Sequence, residues 1–94
     1  MDLDLLRAHS ANLRVSWGHE VRARRTQLGL TLAQVSELTD GSLRAQTLHK
    51  IETGEIEPRE YMKLAVAIAL MTEVDTLFPP TSRAEALRLL KAVA

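Results

Sequence analysis

Apolar residues recur at three- and four-residue spacings in short runs, and each run is closed by glycine, proline or a knot of small polar residues. That pattern predicts helices along the whole chain. Trp17, Val21 and Leu28 fall near one face of a helix that Ser16 caps and Gly29 ends, while Arg22 and Arg25 turn elsewhere. Thr31 caps the next helix and forms a capping box with Gln34; Leu32, Val35 and Leu38 follow, to about Thr39. The turn formers Thr39, Asp40, Gly41 and Ser42 precede a third helix over 43–53, with Leu48 and Ile51 on its buried side and Gly54 closing it. Pro58 sits in the first turn of a fourth helix. Its run from Leu64 to Met71 is apolar on nearly every face, which predicts the most buried helix of the molecule. A short fifth helix covers 73–78 and stops at Pro79 and Pro80. Ser82 and Glu85 make a capping box for a last helix carrying Leu87, Leu89, Leu90 and Val93. Leu3, Leu6 and Leu13 predict a further helix before Ser16. The chain therefore divides into an N-terminal helical extension over 1–15, a domain over 16–78 and a C-terminal helix over 79–94.

The composition is 46% hydrophobic but only 3% aromatic, so the core of these 94 residues must be aliphatic, in keeping with an all-α fold. Cysteine is absent, which excludes disulfides, thiolate nucleophiles and zinc fingers. No apolar run has the length of a membrane span, and the acidic start at Asp2 and Asp4 lacks the cationic opening of a secretory signal. A cytoplasmic protein with no membrane partner is expected. The net charge is zero, against the bulk basicity of a polycationic nucleic-acid binder. Charge is nevertheless unevenly placed. From Arg22 to Lys50 five basic residues face two acids, and from Glu52 to Asp75 six acids face two bases.

Catalysis finds no footing. His9, His19 and His49 stand isolated, with no second ligand at metal-binding spacing, and each reads as a surface or packing residue. The four glycines are scattered, so no phosphate-cradling loop is present. Neither enzyme activity, nor a metal, a cofactor or a small-molecule substrate is expected.

The run from Gly18 through Arg25, Gly29 and Leu30 to Thr31, followed by Ile51-Glu52-Thr53-Gly54 and then by Ala69-Leu70 and Leu77-Phe78, resembles the Cro and phage-repressor helix-turn-helix family, also called the XRE type. The resemblance spans 17–78. It implies a five-helix lambda-repressor-like domain, with 31–39 as the positioning helix and 43–53 as the recognition helix that enters the DNA major groove. Transferred by position, the base readers are Ala45, Gln46, Thr47 and Lys50, with Arg44 at the helix start. The residue chemistry agrees, since Gln bonds adenine, Arg and Lys donate to guanine, and the Ala and Thr methyl groups meet thymine. Candidate phosphate contacts are Arg22, Arg24, Thr31, Ser42 and Thr53, together with the first amides of the second helix. Arg24 is equally well read as a solvated arginine. Arg25 and Glu52 match a partly buried ion pair of the family, a structural role and not a base contact.

Three departures stand out. Leu32 replaces the glutamine usual after the capping threonine, the turn at 39–43 is about two residues longer, and Glu55 and Glu57 occupy positions that often carry cations. Weaker monomer binding follows, offset by dimerisation. Leu87, Leu90 and Val93 are the candidate dimer contacts, unless they simply cover their own core. The function expected is a transcriptional regulator of phage or bacterial type, a repressor that binds double-stranded DNA as a homodimer. The alternative is a protein-interaction module on the same fold, an antitoxin or antirepressor with a protein partner.

Overall fold

A computed structural model describes residues 2–93, which form six helices: α1 (Leu3–Gln27), α2 (Leu32–Leu38), α3 (Ala45–Thr53), α4 (Glu60–Ala69), α5 (Val74–Leu77) and α6 (Arg83–Val93). No strand occurs among the described residues. The fold is all-α, as the periodicity predicts.

α1 is one uninterrupted helix of 25 residues, about 37 Å long, capped by Asp2, whose carboxylate accepts from the Leu5 amide at 3.0 Å. The break expected at Ser16 is absent, and Ser16 is an interior, exposed helical residue. Tertiary contacts on both sides of that position account for the difference. The Arg14 guanidinium donates to the Gly54 carbonyl at 3.4 Å, and the Trp17 indole donates to the Pro79 carbonyl at 2.8 Å. A helix tied down before and after Ser16 has no reason to restart there.

Gly18 sets how closely α1 and α3 approach. A methyl group at this position would lie 2.6 Å from the Ile51 carbonyl oxygen and closer still to that of Glu52. Only glycine lets the two backbones meet there. Gly54, at φ 77°, ends α3 in the left-handed region and packs on Val15, so both ends of this contact depend on glycine.

The core joins Trp17 and Val21 of α1 to Val35, Leu43, Leu48, Ile51, Val66, Leu70, Leu77 and Phe78, all of them buried. Trp17 meets Phe78 edge to face at 5.9 Å, and the Lys63 ammonium lies 4.4 Å from the centre of the indole ring. α4 differs from expectation. Val66, Ala67, Ala69 and Leu70 face the core, but Leu64, Ile68 and Met71 are exposed. A helix that is apolar all round gives no signal of which face turns inward. Pro58 precedes α4 by two residues and is buried, and Arg59 is the N-cap.

α6 packs along α1 with Leu89 and Val93 buried, so Val93 belongs to the chain's own core while Leu87 and Leu90 remain outside. Ser82 accepts from the Glu85 amide at 3.1 Å, but the Glu85 carboxylate bonds Arg88 instead of completing the capping box. His9 is not isolated. Its Nε2 lies 3.1 Å from the Thr81 hydroxyl and its Nδ1 3.9 Å from Glu85, which links α1 to the start of α6. No described helix is long and apolar enough to cross a membrane.

Candidate nucleic-acid interface

α2 begins as its residues require. The Thr31 hydroxyl oxygen accepts from the Gln34 amide at 3.1 Å, and the Gln34 side chain accepts from the Thr31 amide at 2.8 Å. Gly29, at φ 70°, turns the chain between α1 and α2.

The turn after α2 is held by its own hydroxyl groups. Ser36 donates to the Leu43 carbonyl at 2.6 Å, Thr39 donates to the Ser36 carbonyl at 2.7 Å, and the Leu43 amide donates to Thr39 at 3.2 Å. Asp40 and Gly41 both adopt positive φ, 56° and 75°, which accommodates the extra length. Leu43 is a buried plug at 2% exposure and lies before the helix. α3 accordingly starts at Ala45, two residues later than the periodicity suggests, with Arg44 as an extended N-cap that makes no side-chain cap bond.

α3 is anchored by one face. Leu48, Ile51 and Glu52, at helical spacing, are buried. Glu52 is 7% exposed and takes a two-pronged guanidinium contact from Arg25: Nε donates at 2.7 Å to one carboxylate oxygen and Nη2 at 2.9 Å to the other. Arg25 Nη1 donates to the Leu30 carbonyl at 2.9 Å. The hydrogen bonds that Arg25 donates to Glu52 hold the guanidinium above its ordinary pKa, against the opposing effect of burial, with direct charge attraction adding to the rise. One ion pair therefore links α1, α3 and the segment before α2.

The opposite side of α3 is wet. Arg44, Gln46, His49, Lys50 and Thr53 are exposed, and Ala45 and Thr47 are half-buried. Beside this row a groove of about 440 Å³ is lined by Leu32, Ala45, Gln46, His49, Lys50 and Glu55. Leu32 also packs on the core, so its remaining aliphatic surface forms one wall of the groove in a fixed position. Sequence reasoning puts His49 on the accessible face of this helix but not among the base readers, and it leaves Leu32 out of the site. The position of His49, one turn after Ala45, was available as a signal; the inclusion of Leu32 depends on how α2 crosses α3.

The remaining candidates differ in what their donors already do. Arg22 is exposed. Arg24 donates to the Leu70 and Met71 carbonyls at 2.9 and 3.1 Å, where it satisfies the C-terminal end of α4. Ser42 donates to the Thr39 carbonyl at 2.8 Å and Thr53 to the Lys50 carbonyl at 3.2 Å. Each hydroxyl has a single proton, and these two are spent inside the chain. The Thr31 oxygen, which acts as an acceptor, keeps its proton free.

A short helix, a turn and a second helix anchored by one face and polar on the other define a helix-turn-helix protein. The helix-turn-helix family profile matches residues 21–72, more than half of the chain. The chain belongs to this family, of the Cro/C1 or XRE type. No curated protein sequence and no solved structure matches it.

Proposed function

We propose that the chain is a sequence-specific double-stranded DNA-binding regulator that places α3 in the major groove and works as a homodimer. The observation that carries this reading is the exposed row Arg44, Gln46, His49 and Lys50, set opposite the buried Leu48, Ile51 and Glu52. Glutamine pairs with the adenine edge, and arginine or lysine donates to guanine. Ala45, Leu32 and Thr47 offer methyl surface, and the one major-groove feature that matches methyl surface is the thymine 5-methyl group.

Backbone contact falls to Arg22 and to the Thr31 hydroxyl, whose donors are unspent. Arg24, Ser42 and Thr53 donate within the fold and drop down the order of phosphate candidates. With few cations to release salt from DNA, binding depends weakly on ionic strength, each phosphate contact adding about 0.9 to the slope. The regulator acts in the cytoplasm as a repressor, by covering a site that polymerase needs. No part of this reading calls for catalysis, a cofactor or a bound metal.

A protein-interaction role is favoured by one feature, the acid Glu55 on the rim of the groove, where phosphate would be repelled. Incubation with a pool of random duplexes at low salt separates the two readings. Enrichment of a common sequence supports DNA readout; retention of the pool without enrichment, with recovery of a protein partner instead, refutes it.

A further inference from the structure

α4 turns a row of apolar side chains to solvent. Tyr61 is 53% exposed, Leu64 52%, Ile68 74% and Met71 71%. At helical geometry Tyr61, Leu64 and Ile68 fall within roughly 60° of arc, and Met71, just past the Leu70 cap, continues the row. Of the charged side chains of α4, Lys63 lies against the Trp17 ring, while the exposed Glu60 stands one turn before Leu64 at the end of the row and pairs with Lys63 at 3.5 Å. α6 packs on α1 and leaves the row uncovered. Three large apolar residues aligned on one helix, with a fourth just past its end, mark an interaction site.

We propose that this row is the homodimer interface and that it is covered by the same row of a second copy, an assignment that deepens the dimeric reading above and rests on it. In a two-fold interface residue i of one copy meets residue j of the other and residue j meets residue i. The spacing from 61 to 64, 68 and 71 is three, four, three, which reads the same in both directions. In an antiparallel pair Leu64 lies across from Ile68 of the second copy and Tyr61 across from its Met71.

Charge favours the same surface. In a two-fold contact each ion near the axis meets its own kind, and like-charge pairs are penalised. The α4 row carries no charge. The rival face on α6, Leu87 and Leu90, is flanked by the exposed cations Arg83, Arg88 and Lys91, of which, among the described residues, only Arg88 has a carboxylate partner, Glu85. Self-pairing there would gather cations. The α4 row is nevertheless small beside the roughly 800 Å² that each partner gives to a standard interface, so the dimer dissociates on dilution.

Sedimentation equilibrium of the full chain without DNA, from low concentration up to the solubility limit, tests the proposal. The expected mass at the upper end is twice the 10.5 kDa of the chain. Ile68→Glu returns it to the single-chain value and Leu90→Glu leaves it doubled, both variants keeping the wild-type circular dichroism. Oxidative cross-linking checks the register independently, because the chain has no cysteine of its own. A mixture of Leu64→Cys and Ile68→Cys chains should form more disulfide dimer than either variant alone. A wild-type chain that stays monomeric overturns the dimer and the surface together. A dimer broken by Leu90→Glu and not by Ile68→Glu, or one with no cross-linking preference for the mixture, overturns the surface alone.

Discussion

Replacing Glu52 with alanine removes the acceptor of two guanidinium bonds, at 2.7 and 2.9 Å, and leaves Arg25 in place with its side chain only 17% exposed. The guanidinium cannot shed its charge near neutral pH, so it must find new partners or open the contact between α1 and α3. Removing one member of a buried pair costs about 3–5 kcal/mol. Arg25 keeps the Leu30 carbonyl and some access to water, which places the loss near the lower end, about 3 kcal/mol. For a domain of this size that corresponds to a melting temperature lowered by roughly 12–24 °C. Thermal melts followed by far-UV circular dichroism, with urea titrations alongside, provide the measurement. The double variant Arg25→Met with Glu52→Met should be more stable than either single variant, because no unpaired charge remains. A Glu52→Ala protein melting within about 4 °C of wild type would refute the assignment of this pair as the tie between α1 and α3.

Four further outcomes follow from the same geometry. Gln46→Ala and Lys50→Ala, both at exposed positions, should each reduce selectivity for the chosen operator by about 1–3 kcal/mol while changing stability by no more than about 0.5 kcal/mol; early melting with normal binding would mean that α3 is wrongly oriented. Gly18→Ala forces a methyl group against two backbone carbonyls of α3 and should cost about 3 kcal/mol, read as a lower urea midpoint with operator binding weakened as well. Uracil in place of thymine across the selected operator should weaken binding of the wild-type chain more than that of Leu32→Gln, and equal losses would remove Leu32 from the readout. The hydrogen bond from Arg88, aided by the positive charge of Arg88 and His9 and opposed by burial, holds the Glu85 carboxyl below its ordinary value of 4.5. A lowered folded-state value means that the first turns of α6 are stabilised above that ordinary range and lose this contribution as pH falls through the lowered value. An NMR titration should find the Glu85 midpoint low and Arg88→Ala should raise it; a midpoint indifferent to Arg88 would contradict the contact.

The parts of this molecule legible in its sequence are those fixed by local chemistry. The capping box of Thr31 and Gln34, the left-handed Gly29 and Gly54, and the three-residue step from Leu48 to Ile51 all act within a turn or two of helix. Long-range contacts were not legible in the same way. Ser16 has the chemistry of a cap but is overruled by Arg14 and Trp17, whose partners lie 40 and 62 residues away. Arg24 reads as a free cation until α4 is brought to it by the fold, 46 residues further on. The run from Leu64 to Met71 is so uniformly apolar that its inner and outer faces cannot be separated by periodicity, and the exposed row therefore emerges only from packing. Leu43 reads as helix because it is apolar and spaced like its neighbours, although the hydroxyls of Ser36 and Thr39 hold it in the turn before the helix as a buried plug.

Base reading by the side chains of α3 is tested most directly by a specificity exchange. Duplexes selected from a random pool by wild-type protein and by Lys50→Gln should share a consensus at every position except those facing residue 50, where guanine gives way to adenine. An identical consensus from both proteins, or none from either, would contradict the account.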